Sequence, residues 1–284
     1  MATHTTAESP NRLITEQEIA TFRAQGAVLL KRLVSEDWLA LMRQVAAEEL
    51  AHGPDPADAN YYDDGEEAGS AAVIDDIFMT NPKMWRFLTE SPLAQVAAAA
   101  MGSPMARIYE DLLLYRAPVK SSPTPWHQDE PQWPVSGSHL SSIWFTLEPT
   151  TPSTGGLQFV AGSHPGPLYI PYMPAGRQDD LQTDMHYYTG GKLPDIEADP
   201  QRFPVHAFST EPGDAILFHP RAVHAAWGNH PTRPRHSFTI RFLGQDVRWL
   251  PKASVYHDWL KAIDLPEGAP VEHERFPQLW PVAA

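Results

Sequence analysis

A chain of 284 residues with no cysteine holds no disulfide, no iron–sulfur cluster and no thiolate zinc site. Its formal net charge of -14 removes the bulk attraction that nucleic acid or an anionic membrane surface would require, and makes a neutral or cationic small molecule a more natural substrate than a large acyl-CoA. Proline, at 29 residues, stands near twice its usual ~5% share, which favours short strands joined by ordered loops over a helical bundle.

Residues 1–10 are polar, with no basic start followed by an apolar run, so no secretory signal is expected, and no apolar stretch approaches the ~20 residues of a membrane span. Residues 15–24 carry a polar start, an acidic first turn and Gly26 just past the end, the punctuation of a helix. Ala27–Leu30 reads as a strand. Residues 35–52 place Trp38, Leu39, Leu41, Met42, Val45 and Leu50 at helical spacing. An acidic, turn-rich surface loop is expected over 53–69 and a further helix over 81–101. From 106 to 243 short apolar runs alternate with Gly, Pro, Asp and Ser turns, the pattern of a jelly roll. Within it, 169–203 is too long for a plain turn and reads either as a binding loop or as an insertion without a role. No internal repeat or interdomain linker is visible, so the expectation is one domain, 1–284. Its N-terminal helices span about 14–101, its core about 106–243 and a C-terminal extension 244–284.

The chemistry concentrates at His127-Gln128-Asp129. On an extended strand, His127 and Asp129 project from one face while Gln128 points away. Far downstream, Pro212-Gly213-Asp214 is turn chemistry, Ala215–Phe218 reads as a short buried strand, and His224 lies just past it. Two imidazoles and one carboxylate on one face of Fe(II) leave three positions open for a co-substrate and dioxygen. His219 is the rival to His224, and Pro220 directly follows it. The loop 225–234 suggests a hairpin-like return into the strand Arg235–Leu243. Arg235 would enter beside the metal, where a guanidinium can anchor the far carboxylate of a dicarboxylate co-substrate. Arg241 lies on the same strand face, roughly 20 Å further on at ~3.3 Å per residue, and reads as a structural or rim charge. The other histidines, His257 included, show no partner pattern and are taken as non-ligands.

Trp126-His127-Gln128-Asp129 with Pro131 and Trp133, Ser142-Ile143-Trp144, Gly156-Leu157, Gly162-Ser163-His164, Pro212-Gly213-Asp214, His224 and an arginine eleven positions after it together resemble the phytanoyl-CoA dioxygenase-like family. These are Fe(II)- and 2-oxoglutarate-dependent oxygenases, and the resemblance covers most of the chain. It implies a mainly β fold with flanking α-helices around a double-stranded β-helix (jelly-roll, cupin-like) core. It further implies His127, Asp129 and His224 as iron ligands and Arg235 as the 2-oxoglutarate anchor. Gln128 and Trp144 match positions that line the co-substrate pocket, and Arg116 falls where many relatives have lysine. Ala226 departs from the pattern, since some relatives carry a hydroxyl residue there.

The implied reaction consumes 2-oxoglutarate and dioxygen, releases succinate and carbon dioxide, and hydroxylates an unactivated carbon of a small organic molecule. Desaturation, epimerisation and ring closure use the same ligands. Halogenases on this scaffold lack the carboxylate, so Asp129 speaks against that outcome, and a non-catalytic jelly-roll binding protein would need only the fold. Trp133, Gln132, Tyr109 and Trp227 flank the ligands and are the expected substrate-pocket residues. A cytoplasmic enzyme without nucleic-acid or membrane partners is the accompanying expectation.

Overall fold

The computed structural model describes residues 12–52, 61–62, 71–118, 123–171, 178–253, 255 and 257–281. The expected N-terminal tail 1–10 and, apart from 61–62, the expected acidic loop lie outside them. Helix α1 (Glu16–Gln25), strand β1 (Ala27–Leu30), helix α2 (Glu36–His52), strands β2 (Tyr61–Tyr62) and β3 (Ala71–Asp75), and helices α3 (Pro82–Glu90) and α4 (Leu93–Met101) come first. Strands β4 (Ala106–Arg116), β5 (Thr124–His127), β6 (Val135–Ser136), β7 (Leu140–Thr146) and β8 (Thr154–Val160) follow. After the short helix α5 (Gln178–Asp184) come β9 (Val205–Ala207), β10 (Ala215–Phe218), β11 (His224–Gly228), β12 (Arg235–Leu243), β13 (Arg248–Trp249) and β14 (Gln278–Trp280). Among the described residues no helix is long and apolar enough to cross a membrane.

Local chemistry sets the helix ends. Thr15 and Glu18 form a reciprocal capping box at the start of α1, which satisfies two otherwise orphaned donors. The single helix expected over 81–101 is two. Pro92 lacks an N–H and forces Ser91 out of helical backbone, to φ -78 and ψ 164, so α3 stops there and α4 starts afresh.

The larger sheet has the order β1-β10-β7-β12-β4-β3-β2, with β14 also paired to β4, and the smaller one is β5-β11-β8-β9. Period-two alternation gives each large-sheet strand two different jobs. In β12, Phe238, Ile240 and Phe242 face α2–α4 and join Phe87, Met42 and Phe145 in the main apolar core. Each such side chain, fully buried, contributes about 1.5–3 kcal/mol. The alternate residues Arg235, Ser237, Thr239 and Arg241 face the interior between the sheets. There Ile216, Phe218, Trp144, Leu157 and Phe159 form a second apolar cluster that holds the sheets together. The hairpin-like return from His224 to Arg235 does not form. β11 pairs with β5 and β8, whereas β12 pairs with β4 and β7, so the loop between them carries the chain from one sheet to the other. His224 lies past β10 as expected, and it opens β11, so the first part of the expected loop 225–234 is strand.

The C-terminal segment is built into the fold. β13 pairs with β6, β14 extends the β4 edge, and Trp249, Val255, Leu260 and Phe276 pack with Tyr109 and Trp133 in a third apolar cluster.

The Pro212-Gly213-Asp214 turn enters β10 with Gly213 at φ +95, where a Cβ would stand 2.9 Å from the Val34 carbonyl oxygen. Asp214 is buried beside it, accepting from the Lys31 ammonium at 2.7 Å and from the backbone N–H groups of Arg32 and Glu211, each at 3.0 Å. Burial opposes ionisation, but these donors outweigh it and hold the Asp214 carboxyl below its ordinary range. Asp214→Ala strands two backbone donors and is expected to cost about 2–3 kcal/mol, roughly 5–10 °C in Tm by calorimetry. Because the folded-state pKa is depressed, the contribution is full above the unfolded carboxyl pKa and is lost as pH falls through the folded one. The Tm gap between parent and variant therefore narrows in acid.

Candidate metal centre

Antiparallel register does the first part of the assembly. His127 at the end of β5 lies directly opposite His224 at the start of β11, and the two rings stand 4.1 Å apart between centroids. Each ring nitrogen Nδ1 donates to a carbonyl two residues earlier, His127 to Pro125 at 2.8 Å and His224 to Ala222 at 3.0 Å. These bonds select the tautomer that leaves both Nε2 lone pairs free.

Asp129 reaches the same point by a turn, not by the strand spacing. β5 ends at His127, and Asp129 takes helical backbone, φ -79 and ψ -44, ahead of a single 3-10 turn over Glu130–Gln132. The N–H groups of Asp129 and Glu130 both donate to the Pro220 carbonyl, which ties this turn to the segment leading into β11. The result places Asp129 Oδ1 3.4 Å from His127 Nε2 and 3.9 Å from His224 Nε2. Three donors at ~2.1 Å from one ion, at right angles, stand roughly 3 Å apart. A nitrogen, nitrogen, oxygen set at these separations fits a divalent transition metal bound on one face, and the absence of thiolate favours iron over structural zinc.

The electrostatics agree with a ligating state. Burial resists ionisation of Asp129, but the Arg241 guanidinium overcomes it and holds the carboxyl well below its usual range. Burial and the neighbouring His127 push the His224 imidazole down to about 4, so it is neutral.

Two cavities open from this point. The smaller, about 90 Å³, is walled by Leu112, Leu114, Trp144 and Leu157 and carries Arg235. Arg235 is buried, donates from Nη1 to the Gly155 carbonyl, and keeps an Nε with no hydrogen-bond partner among the described residues. Gly155, at φ +92, is required here because a Cβ would collide with the guanidinium. Arg116 lies in register across β4, and burial together with this like charge lowers Arg235 to about 10. A buried guanidinium with an unsatisfied donor in an apolar slot fits an incoming carboxylate. The larger cavity, about 280 Å³, reaches from His127 and Asp129 past Tyr109, Gln132 and Trp133 to Glu110, Arg241 and His257.

Most of the residues singled out from sequence gather here, with exceptions. Gln128 does not line the smaller cavity. Its amide donates to the Pro167 and Arg221 carbonyls at 3.1 and 2.8 Å and accepts from the Tyr169 N–H at 2.9 Å, so it braces three loops behind the ligands. Trp227, at the far end of β11, borders neither cavity. His219 sits outside the cluster and accepts from the Arg221 N–H at 3.1 Å. Ala226 lines the smaller cavity, where Ser237 and Thr239 supply hydroxyl groups from β12 instead. The reading of Arg241 as a rim charge is overturned, because its Nη2 stands 3.3 Å from Asp129 Oδ2 and it borders both cavities. Glu110 and His257 were also missed. His257 comes from the C-terminal segment, and no sequence spacing links it to a centre more than a hundred positions earlier.

This fold, a clustered His/Asp/His set and an adjoining cavity lined by a buried arginine are those of a 2-oxoglutarate-dependent non-haem iron dioxygenase. The chain belongs to the phytanoyl-CoA dioxygenase (PhyH) family, whose profile matches residues 22–237. It is 27% identical over 231 residues to the ectoine dioxygenase of Sphingopyxis alaskensis, an alignment that covers 78% of this chain and 73% of that protein. In fold it is similar to the non-haem α-ketoglutarate-dependent carbocyclase SnoK from nogalamycin biosynthesis, with TM-score 0.74 and 22% identity over 93% of this chain and 96% of that one. The epimerase SnoN, solved with Fe3+, α-ketoglutarate and nogalamycin RO, gives 0.72 and 24% over 93% and 98%.

Substituting His224 by Ala is expected to abolish stoichiometric Fe(II) binding in anaerobic equilibrium dialysis, whereas His219→Ala leaves one iron per chain. Equal binding by both variants would remove His224 from the ligand set.

Proposed function

We propose that this enzyme hydroxylates an unactivated carbon of a compact, partly apolar small molecule, converting 2-oxoglutarate and dioxygen to succinate and carbon dioxide in the same turnover. The observation that carries the reading is the division of the interior into two cavities that share the His127, Asp129 and Arg241 wall, together with Leu112 and Thr124. The smaller is sized for a dicarboxylate and ends in Arg235, while the larger is free for a second molecule.

In this reading His127, Asp129 and His224 hold Fe(II) through Nε2, Oδ1 and Nε2. Iron with 2-oxoglutarate and dioxygen supplies an oxidant able to replace C–H by C–OH. Arg235 fixes the far carboxylate of 2-oxoglutarate, and Trp144, Leu157 and Leu114 keep water from that slot. Arg116 adds positive potential behind it. Tyr109 and Trp133, buried with their rings tilted by 35° and 4.7 Å apart between centroids, form an aromatic wall that suits a ring-bearing substrate, and Gln132 adds a polar group to the same lining. The relatives named above are described as a dioxygenase, a carbocyclase and an epimerase, so one scaffold serves several outcomes. Product mass separates them. Hydroxylation adds one oxygen atom, ring closure removes two hydrogens, and epimerisation leaves the mass unchanged.

The test is succinate formation from 2-oxoglutarate under air after anaerobic loading with Fe(II), with and without a small-molecule library. Slow uncoupled turnover is expected in the parent and not in Asp129→Ala or Arg235→Ala. A parent chain that neither binds Fe(II) nor turns over 2-oxoglutarate would instead be a jelly-roll binding protein.

The arginine role has its own measurement. Arg235→Ala removes charge-assisted hydrogen bonds of ~1.5–3 kcal/mol each and is expected to weaken 2-oxoglutarate binding on the order of a hundredfold by anaerobic calorimetry. Gly155→Ala displaces the same guanidinium, and we expect roughly a tenfold loss, about 1.4 kcal/mol, with Fe(II) affinity retained.

A further inference from the structure

The wall of the larger cavity carries a chain of charged groups. Asp129 turns its two oxygens in different directions, with Oδ1 facing the imidazoles at 3.4 and 3.9 Å and Oδ2 3.3 Å from Arg241 Nη2. Arg241 spends its other terminal nitrogen on Glu110 Oε2, its cross-strand partner in the β12–β4 register. Glu110 Oε1 in turn lies 2.9 Å from His257 Nε2, which is 3.2 Å from Asp75 Oδ2. Glu110 and Asp75 are buried, and the Trp133 ring lies over the Arg241 guanidinium at 5.4 Å. Arg241 is thus held in one orientation by a carboxylate on one side and an aromatic face on the other.

We propose that Arg241 is a positioning residue that limits Asp129 to one metal-bound oxygen, and that Glu110 and His257 hold Arg241 in the orientation this requires. The inference rests on the ligand assignment above and extends it.

The reason is coordination arithmetic. Two imidazoles and a monodentate carboxylate occupy one face and leave three positions, two for a chelating co-substrate and one for dioxygen. A carboxylate free to rotate can bind through both oxygens, which takes one of those positions and competes with the chelate. Only a planar fork with separate donors can bridge Glu110 and Asp129 at once. Lysine keeps the charge but offers a point donor, so it can satisfy one carboxylate and release the other. A purely structural role, neutralising buried acids, would predict that lysine changes stability and nothing at the metal.

The experiment compares the parent, Arg241→Lys and Arg235→Lys, each as the full chain. Fe(II) affinity is titrated anaerobically, and the charge-transfer absorption of the Fe(II)–2-oxoglutarate complex is read per bound iron at saturating iron. Circular dichroism and Tm control for folding. For Arg241→Lys, Fe(II) affinity is expected to fall about 10–100-fold, the range for losing a group that orients a ligand. The absorption per bound iron should fall several-fold because two adjacent open positions are no longer assured. Arg235→Lys should weaken 2-oxoglutarate while leaving Fe(II) affinity at the parent value.

If Arg241→Lys does not fold, Glu110→Gln/Arg241→Met replaces the buried ion pair by groups of similar volume, a change such pairs tolerate, and should give the same two losses. Parental affinity and parental absorption in the folded variant would overturn the inference while leaving the ligand assignment intact. A parent chain that binds no Fe(II), or that is indifferent to His224→Ala, would overturn the assignment itself.

Discussion

The carboxylate of Asp129 is the point on which the interior turns. It stands on a turn beside the small sheet, between two imidazoles that β5 and β11 bring into register, and its second oxygen meets Arg241 of the large sheet. A buried carboxylate without compensation would protonate or be expelled. Here the Arg241 guanidinium from the large sheet keeps it ionised beside the two imidazoles of the small one, so the candidate ligand set and the sheet-to-sheet closure depend on one charge. Removing it would leave Arg241 with Glu110 alone and both Nε2 atoms facing apolar walls.

β12 sets the distance scale of the site. Its outward residues Phe238, Ile240 and Phe242 are fixed by the helices, and its inward residues place Arg235 toward the smaller cavity and Arg241 beside Asp129. Because side chains alternate, a slip by one residue would bury both guanidiniums among Phe87 and Met42 and turn three aromatic or aliphatic groups toward His127, Asp129 and His224. The apolar core therefore enforces the register that the chemistry needs. The bulge between Arg241 and Phe242, opposite Tyr109, adds a local correction that lets Glu110 and Arg241 stay paired while β4 bends toward β14.

What could be read from the sequence was what short-range rules govern. β1, β10 and β12 follow from apolar runs bounded by turn residues, and the His127, Asp129, His224 and Arg235 constellation follows from spacing and family resemblance. The readings that failed depend on contacts between distant segments. His127 and Asp129 were placed on one strand, but Pro220 accepts both N–H groups of the following turn, and that partner lies about ninety residues away in sequence. The expected hairpin failed because β11 and β12 each find better partners in different sheets. Arg241 looked remote because distance along a strand was taken as distance from the centre, although the centre lies beside the strand rather than at its end. His257 had no pattern at all, since Glu110 brings it in across a fold that only the closed C-terminal segment completes.

Gln128 shows how much of the motif is mechanical. Its side chain points away from the His127, Asp129 and His224 cluster, and its three hydrogen bonds fasten the start of the long excursion after β8, at Pro167 and Tyr169, to the segment at Arg221 that precedes His224. Arg221 is itself paired with Glu130, the residue after Asp129, through two contacts. Two polar clasps thus lock the turn bearing Asp129 to the segment bearing His224 from the side opposite the metal. Each buried partner left alone would carry a desolvation cost of ~1–3 kcal/mol, so separating the ligand-bearing segments is opposed even before any ion binds. That preorganisation means the binding of an ion need not supply the energy of assembling the candidate site.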